Sequence, residues 1–237
     1  MSGHNKWSQI KHKKAKEDSK KGKAFTKLTK EITVSARLGG GDPAGNAQLR
    51  NLLEKSRLIN MPIENAQRAI KKGTGELPGM QYEAYLYEGY GPNGIAILVE
   101  TLSDNKNRTV AEMRSIFQKA GGSLAEGGAV SWMFHKKGVI RAAGTLSEDI
   151  ILERLLDFEI DDIDCTDNIC CVTCDPRALD GVRKIIENLG LTIESAELEW
   201  VPQNTATISE GESDKVLALL ATLDDHDDVK NVYTNLA

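Results

Sequence analysis

The feature that most constrains the fold is an ordered series of strand and helix patterns between residues 136 and 204. Period-2 apolar segments predict strands and period-3.6 segments predict helices. In chain order they predict a strand at 138–142, a helix at 150–158, a hairpin of strands at 160–165 and 169–173, a helix at 177–189 and a strand at 192–200. This β-α-β-β-α-β order is that of a ferredoxin-like plait of about seventy residues.

Similar patterns on both sides of this plait predict a second sheet. Strands are expected at 84–88, 94–101 and 129–134, a helix at 106–120, and a further helix and strand at 210–223 and 229–233. The last two elements have no sheet of their own, so we expect them to return and complete the sheet begun before the plait. The plait is then an insertion in a discontinuous middle domain.

The first 79 residues lack strand patterns and predict three helices and a linker. The first helix ends at the glycines 39–41, and the second begins with Asp42 as N-cap and Pro43 at its first position. The third opens at Met61-Pro62 and closes at Gly73. The predicted class is α+β, a three-helix domain plus two ferredoxin-like domains, with bounds at 1–79, at 80–135 joined to 205–237, and at 136–204.

Charge is distributed very unevenly along the chain. Residues 1–75 hold 17 Lys and Arg against 6 Asp and Glu, a balance of +11, although the whole chain carries −5. The remaining residues therefore balance at −16, and an acidic body repels phosphate. We expect a basic N-terminal surface to contact an anionic partner.

A helical wheel separates this charge from the packing face. The lysines at 16, 20, 23, 27 and 30 fall within an arc of roughly 80°, opposite Phe25, Leu28, Ile32 and Ala36. With few acidic neighbours, these lysines repel one another unless an anion arrives. The alternative is that they form only a solvated helix face.

The candidate nucleic-acid-binding residues share positive charge, apart from one indole. Trp7 is expected to be exposed among cations, where it would stack on a base. The predicted set is Lys6, Trp7, Lys11, Lys13, Lys14, Lys16, Lys20, Lys23, Lys27, Lys30, Arg37, Arg50, Arg57, Arg68, Lys71 and Lys72. Lysines contact phosphate as point charges, so the pattern favours backbone contact over base reading.

Four cysteines, Cys165, Cys170, Cys171 and Cys174, lie within ten residues and invite a metal or redox interpretation. On the predicted hairpin, Cys165 and Cys170 are opposed neighbours, whereas Cys171 and Cys174 point to opposite faces. Four thiolates on one hairpin cannot surround a tetrahedral ion. We predict packing or incidental oxidation, and neither a metal nor a cofactor.

No catalytic constellation emerges from the sequence. The four histidines, His4, His12, His135 and His226, lack the spacings of zinc or nucleophile motifs. Gly89–Gly94 (GYGPNG) lacks the Lys-Ser/Thr of a phosphate loop and runs into a strand. We predict a non-enzymatic protein.

The chain resembles the YebC/PmpR family along essentially its whole length, and six stretches carry the resemblance. They are Met1–Lys13, Lys23–Ser35, Asn60–Gly73, Tyr87–Gly94, Asp104–Met113 and Gly128–Gly138. The resemblance implies a three-domain α/β protein with an N-terminal helical domain. It also implies a DNA-binding transcriptional regulator, with a mitochondrial relative that resembles a translational activator and some bacterial members tied to the ribosome.

Together these observations predict a nucleic-acid-binding regulator, with DNA as partner and transcription as process. The alternative is a translation factor that binds ribosomal RNA or tRNA, and a third class is a protein-interaction adaptor. A protein partner is expected to meet the acidic domains. The N-terminus has no apolar segment behind its charges and no run approaches the roughly 20 residues of a membrane helix, so we expect a cytoplasmic protein without a membrane partner.

Overall fold

The structure is a computed structural model that describes residue 7, residues 21–166 and residues 168–237. Its helices are α1 (Lys21–Gly39), α2 (Ala47–Leu58), α3 (Ile63–Gly73), α4 (Lys106–Lys119), α5 (Glu148–Arg154), α6 (Leu179–Asn188) and α7 (Glu210–Asp224). Its strands are β1 (Glu83–Tyr90), β2 (Ala96–Ser103), β3 (Ser123–Leu124), β4 (Phe134–Ala143), β5 (Ile160–Thr166), β6 (Ile169–Cys174), β7 (Thr192–Pro202) and β8 (Val229–Thr234). The predicted α+β class is confirmed. Among the described helices, none combines the length and apolar character that crossing a membrane requires.

The first three helices form a small bundle around one apolar cluster. Leu28 and Ile32, four residues apart on α1, pack against Leu49 of α2 and Ala66 of α3. The end of α3 lies so close to α1 that a Cβ on Gly73 would lie 2.4 Å from the Thr33 carbonyl oxygen. This contact therefore requires glycine.

The predicted start of α2 is wrong, because the N-cap is Asn46 and not Asp42. The Asn46 Oδ1 accepts from the Leu49 N–H at 3.0 Å, and its Nδ2 donates at 2.9 Å to the carbonyls of Ser35 and Gly40. One buried amide thus satisfies the open ends of both α1 and α2. Asp42 and Pro43 form the preceding turn.

The first sheet has the strand order β3-β1-β2-β8. Its fourth strand comes from the C-terminal part of the chain, as predicted. Helix α4 packs on it so closely that a Cβ on Gly89 of β1 would lie 2.6 Å from the Phe117 ring. Phe117 of α4 and Leu220 of α7 are both fully buried.

The second sheet has the order β5-β6-β4-β7, and every pair in it is antiparallel. With α5 between β4 and β5 and α6 between β6 and β7, this is the predicted ferredoxin-like plait. Ile140 and Val172 of the sheet pack against Ile151 of α5 and Ile186 of α6. Phe134 pairs with Pro202, so the two ends of the plait are neighbours.

The strand predicted at 129–134 is wrong. Residues 125–130 form a loop, followed by a 3-10 turn at Ser131–Met133. The buried Glu88 carboxylate accepts from the N–H groups of Gly128 at 2.7 Å and Val130 at 2.6 Å. Because a side chain satisfies these N–H groups, the segment needs no partner strand.

The cysteines lie as the hairpin pattern predicted. Cys165 and Cys170 are paired across β5 and β6 and form a disulfide. Cys174 belongs to the apolar core under the helices, whereas Cys171 is paired with Arg141 across β4 and β6. Burial raises the pKa of Cys171 to about 12 and that of Cys174 to about 11. Both thiols are therefore protonated at neutral pH, which disfavours metal binding.

The chain forms two compact units. One contains residues 208–232 with the described part of residues 10–130, and it holds the helix bundle and most of the first sheet. The other contains Trp7, residues 131–207 and residues 233–237, and it holds the plait. The domain bounds at residues 79, 135 and 204 stay predictions.

Candidate nucleic-acid interface

The lysines of α1 contact an acidic turn at the C-terminal end of α7. We call Lys23, Lys27 and Lys30 the lysine column and Asp224–Asp228 (DDHDD) the acidic turn. Lys23 Nζ lies 2.9 Å from Asp225 Oδ2 and 3.1 Å from the Asp225 carbonyl oxygen, and Lys27 Nζ donates to the Asp224 carbonyl. Lys30 Nζ donates to Asp228 Oδ1 at 2.6 Å and to the Asp227 carbonyl at 3.0 Å.

These contacts have a cause in the backbone of α7. The last carbonyls of a helix lack intrahelical partners and form the negative end of its dipole. The column supplies N–H donors to this end, at positions three and four residues apart on α1. We expected that only an external anion would relieve repulsion in the column. That expectation is wrong for the lysine column, because the acidic turn of the same chain supplies the anionic groups.

Exposure changes along the column. The side chains of Lys23 and Asp225 are 45% and 39% exposed, whereas those of Lys30 and Asp228 are 11% and 5% exposed. The Lys30 end is closed to solvent, and the Lys23 end is open to exchange of partners.

Asp228 is the centre of the closed end. Besides Lys30, its carboxylate accepts from Arg108 Nη2 at 2.8 Å, Thr109 Oγ1 at 2.9 Å and Ser103 Oγ at 3.1 Å. Burial alone raises the pKa of this carboxyl, but the hydrogen bonds from Lys30, Arg108 and Thr109 outweigh it and hold the pKa well below its ordinary value. The ionised carboxylate thus joins α1, β2 and α4 to the acidic turn.

Arg108 is a residue that the sequence reasoning missed. Its guanidinium bonds Asp228 and, at 2.9 Å, Asp104, and these bonds raise its pKa. The spacing of Asp104 and Arg108 is a local signal for an ion pair. Asp228 lies 120 residues further along the chain, and no local pattern points to it.

Glu112, His226 and Asp228 bring three ligand atoms within 4.8 Å of one another, an arrangement that could hold a metal ion. However, His226 Nδ1 accepts from the Asp228 N–H at 3.1 Å, and its Nε2 lies 2.9 Å from Glu112 Oε2. The Asp228 oxygens already serve two cations and two hydroxyls. The cluster is therefore better described as a hydrogen-bond network than as a cation site.

The predicted basic residues of the helical bundle lie on its surface. We call them the basic rim; they are Arg37, Arg50, Arg57, Arg68, Lys71 and Lys72, and all are exposed. Arg37 donates to the Tyr82 carbonyl and Arg50 to the Pro43 carbonyl. The structure brings Arg37 and Lys72 together in a groove of about 280 Å³ beside the linker after α3, which Leu77 and Met80 also line.

The expected exposure of Trp7 is wrong. Its side chain is 3% exposed, because a large apolar ring gains free energy by leaving water. In this conformation its faces are not available to a base. The other predicted arm residues, Lys6, Lys11, Lys13, Lys14, Lys16 and Lys20, lie outside the described residues.

Comparisons with known proteins match nearly the whole length of the chain. Residues 5–76 match the family described as "TACO1/YebC protein N-terminal domain", and residues 82–236 match "TACO1/YebC second and third domain". The boundary between the two matches coincides with the linker after α3.

Individual relatives are similar over almost all of their length. Proteins named "Probable transcriptional regulatory protein" from Geobacter sulfurreducens and Desulfatibacillum aliphaticivorans are each 50% identical, over 99% of this chain and 95% and 96% of theirs. A crystal structure of a conserved hypothetical protein from Aquifex aeolicus is 43% identical, with a TM-score of 0.88 over 98% of this chain and 96% of that chain. The sequence, the fold and the position of the helical domain agree, and the chain belongs to the TACO1/YebC family.

Proposed function

We propose that this protein is a nucleic-acid-binding regulator of transcription that holds the phosphate backbone through its N-terminal helices. The name shared by its 50% identical relatives supports a regulatory role. We propose no catalytic role for the protein. The titratable cluster around Asp228 is engaged in ion pairs and hydrogen bonds that join elements of the fold.

The observation that carries the proposal is exposed positive charge on α2 and α3. Residues 47–73 contain six Lys and Arg against two Glu, and Arg57, Arg68, Lys71 and Lys72 are all exposed. The acidic remainder of the chain repels phosphate. Nucleic acid is therefore expected to approach the helical bundle, with the undescribed N-terminal lysines as further contacts.

The chemistry of these side chains favours contact with the backbone. Ammonium groups attract phosphate without reading base edges, and phosphate contacts fix position more than sequence. We expect modest sequence preference and strong dependence on salt, because each neutralised duplex phosphate releases counterions.

The test compares two triple variants with matched charge changes. One replaces Arg68, Lys71 and Lys72 on α3 with Gln, and the control replaces the exposed Arg154, Arg177 and Lys184 of the plait with Gln. Binding to a short labelled DNA duplex is measured by fluorescence anisotropy over a range of salt concentrations, after circular dichroism has verified folding.

The α3 variant is expected to bind DNA more weakly. Its plot of the logarithm of the association constant against the logarithm of salt concentration should be less steep, by about 0.9 for each phosphate contact removed. The control should keep the wild-type slope. Equal losses in both variants, or an unchanged slope in the α3 variant, contradict the assignment of the basic rim.

DNA and RNA backbones present the same phosphate chemistry, so ribosomal RNA is the alternative partner. Sequencing the nucleic acid cross-linked to the protein in cells separates the two. Predominantly promoter DNA supports a role in transcription. Predominantly ribosomal RNA replaces it with a role in translation.

A further inference from the structure

We propose that the acidic turn is an internal competitor of nucleic acid, which weakens binding by occupying Lys23 and Lys27 of the lysine column. This regulation rests on the proposed function. Like a phosphate backbone, the turn offers the ammonium groups anionic oxygens at hydrogen-bond distance, and it adds main-chain carbonyl oxygens. Asp225 Oδ2 lies 2.9 Å from Lys23 Nζ, and the Asp224 carbonyl accepts from Lys27 Nζ.

The balance of charge around the column keeps phosphate away while the turn is in place. The three lysines of the column and Arg108, which binds Asp228, face four aspartates of the turn, at 224, 225, 227 and 228, so the group sums to zero. Successive lysines of the column are three or four residues apart, or about 5 to 6 Å of helix, which is shorter than the Debye length of about 10 Å at 0.1 M salt. A phosphate that approaches Lys23 therefore meets no net attraction until Asp224 and Asp225 have moved or lost their charge.

The two ends of the contact differ in how readily they exchange. Lys30 and Asp228 are buried together, and Asp228 also binds Arg108 and Thr109. Lys23 and Asp225 are more than one-third exposed, and exposed ion pairs are weak. The Lys30 end anchors the turn in place. The Lys23 end is the part that phosphate displaces.

The experiment neutralises the exchangeable end. Asp224→Asn with Asp225→Asn is compared with wild type for binding to the labelled DNA duplex and to a single-stranded RNA, at low salt. The control, Glu210→Gln with Asp214→Asn, makes the same charge change on exposed residues near the start of α7. Asp214 precedes Asp224 by ten residues, or about 15 Å of helix.

A double-mutant cycle shows whether the effect passes through the lysines. The Asp224/Asp225 pair is neutralised again in a protein that carries Lys23→Gln and Lys27→Gln. Asp225→Asn alone, at a side chain that is 39% exposed, replaces the double variant if the latter fails to fold.

Neutralising Asp224 and Asp225 is expected to tighten binding about threefold to tenfold, since exposed ion pairs contribute little each. The gain should vanish in the Lys23/Lys27 background and be absent from the control. Binding that is unchanged by Asp224→Asn with Asp225→Asn, or tightened equally in both backgrounds, overturns this inference and leaves the proposed function in place. Absence of binding by wild type and variant alike overturns both.

Discussion

Asp228 illustrates how much of this fold depends on single polar side chains. It is 5% exposed and carries a full charge, which is costly unless the charge is paired and hydrogen-bonded. Lys30 and Arg108 supply the pairing, and Ser103 and Thr109 supply the hydroxyls. The carboxylate is thus a structural requirement of the unit that holds the basic rim.

Asp228→Asn is expected to reduce the free energy of unfolding at neutral pH by about 3 kcal/mol, since it leaves buried Lys30 without its anion. The folded-state pKa of Asp228 is lowered. Its stabilising contribution is therefore complete above the unfolded pKa of about 3.9 and is lost as pH falls below that value. Urea unfolding at about pH 7 and about pH 3 measures both effects.

The neighbouring Asp227 provides the control for this prediction. It is exposed, and Lys30 contacts only its backbone carbonyl. Asp227→Asn makes the same charge change and should alter stability by less than about 0.5 kcal/mol. Similar losses in the two variants, or an Asp228→Asn protein whose stability falls as steeply with acid as wild type, would contradict the role given to Asp228.

At the scale of elements, helices and strands with a clear period were predictable, and their ends were not. The central parts of α1, α4 and α7 lie where the spacing of apolar residues predicted helices. The start of α2 does not, because Asp42-Pro43 and Asn46 are both acceptable local signals and only Asn46 also reaches the carbonyls of α1. The strand predicted at 129–134 failed since Glu88, from β1, satisfies that backbone.

Replacing Asn46 with Ala should cost about 2 kcal/mol, at the upper end of the range for helix caps, because two carbonyls of the α1 end also lose their donor. Asp42→Ala, which removes only a local bond to the Ala44 N–H, should cost less than about 0.5 kcal/mol. Thermal unfolding of both variants checks the order. A larger loss of stability in Asp42→Ala than in Asn46→Ala would indicate that Asp42 is the N-cap of α2, as the sequence predicted.

At the scale of the whole molecule, the residues of the plait lie, in chain order, between β3 and β8 of the first sheet. The paired positions of Phe134 and Pro202 mean that the chain enters and leaves the plait at adjacent points. Adjacent ends are what an inserted domain requires. Strand β8, which follows the plait in the chain, completes the first sheet.

Removal of residues 136–200, with His135 joined to Val201 through Asn-Gly, is expected to leave the other unit folded. These two residues are cross-strand partners, and Asn-Gly suits a two-residue hairpin. Circular dichroism and urea unfolding should show a cooperative transition. Loss of that transition would contradict the predicted insertion.

The sequence by itself determined the class of elements, the plait, the separation of charge and the family. Each of these depends on local hydrophobic periodicity, on amino-acid composition or on contiguous sequence motifs. The destination of the lysines was decided only by the tertiary structure. Lys27 and Lys30 meet acceptors 197 residues further along the chain, and no pattern on α1 distinguishes a lysine that faces phosphate from one that closes the end of α7. The basic rim is exposed, whereas the lysine column binds acidic groups of the same chain. The carbonyl groups at the end of a helix need hydrogen-bond donors where water is excluded, and the nearest lysines supply them.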